Sequence, residues 1–267
     1  MAGQAQAAQT FRRTQALLAA QMARQILHVW RDLMDPAKVD ASWPAVRAAL
    51  MPIVQQARTH SAALAAAAYM DARRAAGVPD GGFDPAGPLQ LAIARLESSL
   101  DVTGPVEFKK AIAAGRSPQQ AMDAAAVRMV GSTQYLALEG ARSVISKSVD
   151  SDDQATGWSR VTDADPCAWC AMLASRGPIY KSERTAGRDQ NARFEGDGAF
   201  KYHDHCACQA WPAFTLDEPF IGIAEKLYDD WLRETRGTGG KRAVNAFRRW
   251  WEAEGRSAYA TAGQSAG

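Results

Sequence analysis

The sequence lacks the features that mark several large classes of protein. Its 267 residues contain no run approaching the roughly 20 apolar residues that a transmembrane helix needs. Basic and acidic residues nearly balance, 31 against 29, so the net charge of +2 gives no argument for binding to nucleic acid or membranes. The first ten residues lack the basic start and apolar centre of a signal peptide. We therefore expect a protein that is kept in a reducing cytoplasm.

Motifs that carry common enzyme chemistry are also missing. The chain has no G-x-S-x-G, no H-E-x-x-H and no phosphate-binding loop. His28 and His60 lie in helical, alanine-rich surroundings, where a histidine is far more often structural than catalytic. We therefore assign no catalytic residue and favour a protein without enzymatic activity over an enzyme.

Most of the chain has the periodicity of helices. Leu18, Met22, Ile26, Val29 and Leu33 recur at steps of three and four, which predicts one buried helix face. Gly104-Pro105 predicts a break, and Ser117-Pro118 has the composition of a helix start.

From Trp158 onward the character changes to short strands and loops, and the polar, glycine-rich stretch 182–199 is typical of a loop. The sequence thus predicts a mainly α protein in which a small α+β domain with a Cys/His knot follows a helical domain. The expected divisions are 1–150 for the helical domain, 151–215 for the Cys/His-rich domain, 216–254 for C-terminal helices and 255–267 for a disordered tail.

Cysteine is scarce, and its placement is the most informative feature of the sequence. All four cysteines lie between 167 and 208, and in a chain without secretory features clustered thiols are more often metal ligands than disulfides. A C-x-x-C turn places two thiolates on one side of a loop, and two cysteines two residues apart on a strand share a face. Sulfur-rich tetrahedral ligation favours a structural Zn²⁺. The candidate ligands are Cys167, Cys170, His203, Cys206 and Cys208, with His205 as an outside candidate.

The same spacing leaves other interpretations open. Two disulfides could bridge the 32 residues that separate Cys170 from His203, the thiols could be free and buried, or the C-x-x-C could be a redox pair. A cysteine nucleophile with His203 and Asp204 can also be drawn, although four clustered cysteines make any one of them a poor lone nucleophile. A nucleic-acid-binding zinc module is a further alternative, against which the near-neutral charge and the lack of a basic face argue.

These residues also carry a family resemblance. The stretch 167–177, followed by 202–208 and Pro212, resembles the Mu F-like minor head proteins of tailed bacteriophages, in particular the type found beside the portal gene in actinobacterial phages. That family's pattern is C-x-x-C, then a leucine and a glycine, then H-x-x-C-x-C. Leu173 and Gly177 fall in the expected places, whereas His205 stands where the family often has asparagine or another small polar residue.

The resemblance implies a minor capsid protein that acts in head morphogenesis, in the virion or the host cytoplasm. The implied partners are the phage portal and the capsid and scaffold proteins, with DNA inside the head as a further one. Its C-terminal domain would be held together by the metal. Relatives are often labelled capsid maturation proteases, so a protease that acts on scaffold or capsid protein is the alternative.

Overall fold

The computed structural model describes residues 2–162, 165–177, 202–215 and 220–259. The fold is mainly helical with one small sheet, which confirms the predicted class. None of the described helices is long and apolar enough to cross a membrane. The stretch 182–199, expected to be a loop, lies outside the described residues, and the predicted domain divisions remain predictions. In the first part of the chain the helices are α1 (Ala2–Leu33), α2 (Val39–Ala75), α3 (Ile93–Asp101), α4 (Glu107–Ala113) and α5 (Pro118–Ser151).

Helix α5 is the central element of the fold. It packs against α1, α2, α3 and α4 and against the sheet, and its residues contribute to both hydrophobic clusters of the core. Its start confirms the prediction at Ser117-Pro118: the Ser117 hydroxyl accepts a hydrogen bond from Gln120 N, and the Gln120 side chain accepts one from Ser117 N. At Gly140 an added Cβ would lie 2.6 Å from the backbone oxygen of Arg58, so glycine permits the close approach of α2.

The buried face of α1 differs from the predicted one. Met22 and Ile26 are buried as expected, but Leu33 is 45% exposed and Trp30 is buried instead. The Trp30 indole N–H donates a 3.1 Å hydrogen bond to the Met122 carbonyl, which turns the tryptophan face of α1 toward α5.

The helix break predicted at Gly104-Pro105 is wrong. A π-helical turn, Val102–Val106, joins α3 to α4 without interruption. An added Cβ at Gly104 would lie 2.9 Å from the Trp43 ring, so the glycine serves helix packing and not a turn.

Two buried ion networks fix α2 and α5 relative to each other. Glu139 is 2% exposed and accepts hydrogen bonds from Arg58 and Arg95. Asp152, at the end of α5, accepts from Arg73 and from the Tyr69 hydroxyl. Each carboxylate is fully used inside the fold, so neither one is available for chemistry.

The second part of the chain folds onto these helices. Strands β1 (Gly157–Val161) and β2 (Gln209–Ala213) pair antiparallel, with Gly157 opposite Ala213 and Val161 opposite Gln209. The first strand confirms the prediction near Trp158. The second begins only at Gln209, so Cys206 and Cys208, which we expected on a strand, lie in the loop before β2. The helices of this part are α6 (Ala168–Ala174), α7 (Ala224–Glu234) and α8 (Gly240–Trp250).

Helical structure continues beyond Gly255, where we expected a tail. A π-helical turn, Trp251–Gly255, follows α8, and helical residues extend to Tyr259, which is only 3% exposed. The Tyr259 hydroxyl donates to Asp230 and its ring packs on Trp251. Residues 260–267 lie outside the described part of the chain.

Candidate metal centre

The C-x-x-C turn is positioned by the start of α6. Cys167 is the N-cap residue, and its Sγ accepts a hydrogen bond from Cys170 N at 3.3 Å. Cys170 lies in the first turn of α6 and is fully buried, whereas Cys167 is partly exposed. The Cys167 thiol therefore caps α6, and this position places its sulfur on the same side of the turn as the sulfur of Cys170.

The other half of the site comes from the loop before β2. Cys206 N donates to the His203 carbonyl at 3.0 Å, and His205 in the middle of this turn has a positive φ of 64°. The turn brings His203 Nε2 to 3.0 Å from Cys167 Sγ, and Cys206 Sγ to 3.6 Å from Cys170 Sγ. The structure thus joins two sequence segments that lie 32 residues apart.

The five predicted ligand residues form two overlapping groups that could hold a metal ion. Within each group the candidate ligand atoms lie within 4.8 Å of one another. Cys170 is the member that both groups share. The first group is Cys167, Cys170 and His203, and the second is Cys170, Cys206 and Cys208.

His205 is separated from these groups. Its imidazole ring rests on Gly131 of α5, where an added Cβ would overlap the ring. His205 N also donates to the Gly131 carbonyl at 3.5 Å. His205 therefore packs the loop onto α5 and does not join the ligand atoms.

The sulfur separations fit a shared metal better than a covalent bond. All four cysteines are free, and the 3.6 Å between Cys170 and Cys206 compares with about 2.05 Å in a disulfide. Two thiolates that bind one tetrahedral zinc at about 2.3 Å lie about 3.8 Å apart. The 3.6 Å between the sulfurs of Cys170 and Cys206 therefore fits two thiolates on one zinc ion.

The His203 ring is also oriented as a metal ligand requires. In the neutral ring Nδ1–H donates to the Asp204 carbonyl at 2.7 Å, and the Nε2 lone pair then faces Cys167 Sγ at 3.0 Å. A hydrogen bond of this kind from the second ring nitrogen is typical of metal-binding histidines.

The protons of the cluster are unevenly distributed. The hydrogen bond with Cys170, opposed by burial, lowers the pKa of Cys167 to about 7. The bond with Cys167 raises the pKa of Cys170, but the bonds with Cys206 and Cys208 outweigh it, and the pKa falls to about 5. Bonds with Cys170 and Cys206 raise the pKa of Cys208 well above its usual value. The cluster thus favours thiolate at Cys170 and keeps a proton on Cys208.

Two buried arginines supply positive charge beside the thiols. Arg142 of α5 is fully buried, and its guanidinium donates to the carbonyls of Cys206 and Cys208 at 2.6 to 3.1 Å. Arg160 of β1 is 1% exposed and donates to Cys170 Sγ at 3.5 Å. The Tyr202 ring lies against both, with its centroid 3.7 Å and 3.9 Å from the two guanidinium carbons.

The charge of Arg142 has no carboxylate partner among the described residues. A buried cation without an anion costs several kcal/mol. Arg142 binds the carbonyls of Cys206 and Cys208, so a metal centre with net negative charge built from these cysteines would compensate its charge. A zinc ion with three or four thiolates carries such a charge.

Sequence reasoning missed Arg142, Arg160 and Tyr202. The available signal was Arg142 itself, which follows Gly140 and Ala141 and precedes Val144 and Ile145 in α5. A charge placed there predicts a buried partner of opposite sign.

The two histidines of the loop allow a matched test. We expect His203→Ala to weaken zinc binding at least as much as the 10- to 100-fold typical of lost outer ligands. His205→Asn should leave zinc affinity unchanged, because His205 lies outside both groups and asparagine tolerates its positive φ. Competition with a chromophoric chelator measures both affinities, and equal losses would contradict the assignment.

Comparison with known proteins identifies one family. The sequence model of a family described as VG15 protein matches residues 2–233, which include the helical first part, the sheet and all the candidate ligands. No curated protein and no solved structure matches the chain.

Proposed function

The chain belongs to the VG15 protein family, a family of phage proteins, and from this membership we propose that it is a minor capsid protein of head morphogenesis. Its partner in this role is the portal, within the assembling procapsid. The observation that carries the proposal is the joining of C-x-x-C to H-x-x-C-x-C in one cluster, because this pattern is the one that resembles Mu F-like head proteins.

We further propose that the cluster binds one structural Zn²⁺ through Cys167, Cys170, His203 and Cys206. Zinc takes four ligands in such sites, so one of the five candidates is left over. Cys206 is favoured over Cys208 by its 3.6 Å approach to Cys170. A bound zinc would cross-link α6 to the loop before β2.

A structural role suits the composition of this part of the fold. Its described sheet has only two strands of five residues each, which is too small to be stable alone. A metal link between distant segments stabilises the folded state directly. Four protein ligands would also leave no open position for a substrate, as in other structural zinc sites.

One observation favours a second candidate function, a cysteine protease acting on scaffold or capsid protein. Cys167 is partly exposed, its pKa is lowered to about 7, and His203 Nε2 lies 3.0 Å from its sulfur. The Asp204 carbonyl orients the ring through Nδ1. A nucleophile, a base and an orienting group are therefore in contact.

The variant His203→Cys separates the two candidates. A cysteine can replace histidine as a zinc ligand, so the structural role predicts retained zinc and normal head assembly. A protease would lose its base, so processing of scaffold or capsid protein would stop while the chain stays folded. The measurement is the zinc content of the variant, together with gel analysis of both proteins in infected cells.

The portal association is tested by co-expression with the portal protein of the same phage. We expect the full chain to co-sediment with portal rings and to be present in purified procapsids. A chain that stays in the slow-sedimenting fraction in both preparations would contradict the proposed role.

A further inference from the structure

Helix α8 carries a concentrated positive charge on an otherwise acidic protein. The segment 236–249 contains five of the chain's 31 basic residues and none of its 29 acidic ones, so the remainder has 26 basic and 29 acidic residues, a net charge of −3. The acidic residues nearest along the chain, Glu234 and Glu252, flank the segment. The basic residues of the segment are Arg236, Lys241, Arg242, Arg248 and Arg249.

These side chains are exposed and have no ion-pair partner among the described residues. All five are solvent-exposed, and none takes part in an ion pair or side-chain hydrogen bond within the described part of the chain. In contrast, the neighbouring Arg233 pairs with Asp230 and Glu234, and Arg256 pairs with Asp165. The five cations are thus available to an external anion.

The four cations of α8 share one face. Successive residues are about 100° apart around a helix, so Lys241, Arg242, Arg248 and Arg249 fall within an arc of about 120°. We call this set the basic face; the expectation from the sequence that the chain lacks such a face is therefore wrong. Its members span seven to eight residues, which corresponds to about 10 to 12 Å along the helix axis.

The opposite face of α8 fixes the direction of the basic face. Phe247 is fully buried and lies 5.3 Å from Trp231 and 6.2 Å from Trp251, measured between ring centroids. The Trp251 indole N–H donates to the Pro166 carbonyl at 3.1 Å. Because this apolar side is already packed into the core, α8 has no free apolar surface to insert into a membrane.

We propose that the basic face binds the phosphate backbone of duplex DNA without sequence preference. Over 10 to 12 Å of its axis a duplex carries about six or seven phosphates on its two strands, one per roughly 1.7 Å, which is enough for each of the four cations to contact one. The near-neutral overall charge argues against a long-range positive electrostatic potential around the whole molecule. It does not exclude a positive potential at the basic face itself. The inference is independent of the metal centre and of the portal association.

The test measures binding of a fluorescent mixed-sequence DNA duplex to the full chain across a salt series. Four phosphate contacts predict that log K falls against log salt concentration with a slope near −4. The variant Lys241→Gln/Arg248→Gln should reduce the steepness by about two and weaken binding at 0.1 M salt roughly 50-fold. Because both side chains are exposed, we expect the variant to stay folded, and circular dichroism checks this.

The control is Arg24→Gln/Arg31→Gln, which removes two exposed arginines at the same seven-residue spacing on α1. This variant should bind duplex DNA like the original protein. Absence of salt-dependent DNA binding, or equal losses in both variants, would overturn the proposal. So would unchanged DNA binding in the α8 variant with loss of its co-sedimentation with the portal, which would place an acidic protein surface on the basic face.

Discussion

Replacement of Cys170 by serine is expected to abolish zinc binding and to lower the free energy of unfolding by more than about 5 kcal/mol. Cys170 is fully buried and is the one residue that both candidate ligand groups share. Serine keeps the size of the side chain but is a poor zinc ligand, so the effect reports on coordination more than on packing. The loss also leaves Arg160 without the thiolate that it contacts.

Ala171→Ser is the matched control for this change. Ala171 follows Cys170 in α6 and is fully buried too, so the variant introduces the same hydroxyl into the same helix outside the ligand groups. We expect Ala171→Ser to lose some stability in urea unfolding and to retain its zinc. If Cys170→Ser retained zinc, or if both variants lost the same stability, the sulfur of Cys170 would not be a ligand.

Arg142→Met is the second change with a large expected effect, a loss of about 3 to 5 kcal/mol in the free energy of unfolding. Methionine keeps an unbranched apolar side chain but removes the charge and three hydrogen bonds to the carbonyls of Cys206 and Cys208. Buried acceptors would be left unsatisfied and the negative charge of the thiolates would lose its nearest compensation from α5. Zinc affinity should therefore fall together with stability.

Arg95→Met provides the comparison. Arg95 also pairs inside the helical part, with Glu139, but its side chain is 39% exposed and lies away from the thiols. This change should cost less stability in urea unfolding and leave zinc affinity unchanged. Equal zinc affinities in the two arginine variants would show that Arg142 supports only the loop backbone and not the charge of the centre.

The features predictable from sequence were those set by local chemistry. The helix start at Ser117-Pro118 and the strand near Trp158 follow from neighbouring residues, and the structure shows both. The C-x-x-C turn is also local, because one α6 turn brings Cys170 back beside Cys167. The approach of His203 was expected from the motif, although only the folded turn defines its ring orientation.

The features that escaped prediction depend on tertiary contacts. From the sequence, Gly104 is typical of a helix break, but in the structure it provides the space in which the Trp43 ring packs. From the sequence, Arg142 is an ordinary helix residue, and only the folded structure shows that it binds the carbonyls of the loop before β2. The basic face of α8 is hidden in the nearly neutral total charge, because it becomes a surface only once Phe247 fixes the opposite side of the helix.

The ligand assignments depend on the proposal that the Cys/His cluster binds a structural zinc ion. This proposal is tested most directly by elemental analysis and native mass spectrometry of the full chain, purified without chelator. We expect one zinc ion per chain and four thiols that react with alkylating reagents once the protein is denatured and the metal removed. A metal-free chain whose cysteines are paired in disulfides would contradict it.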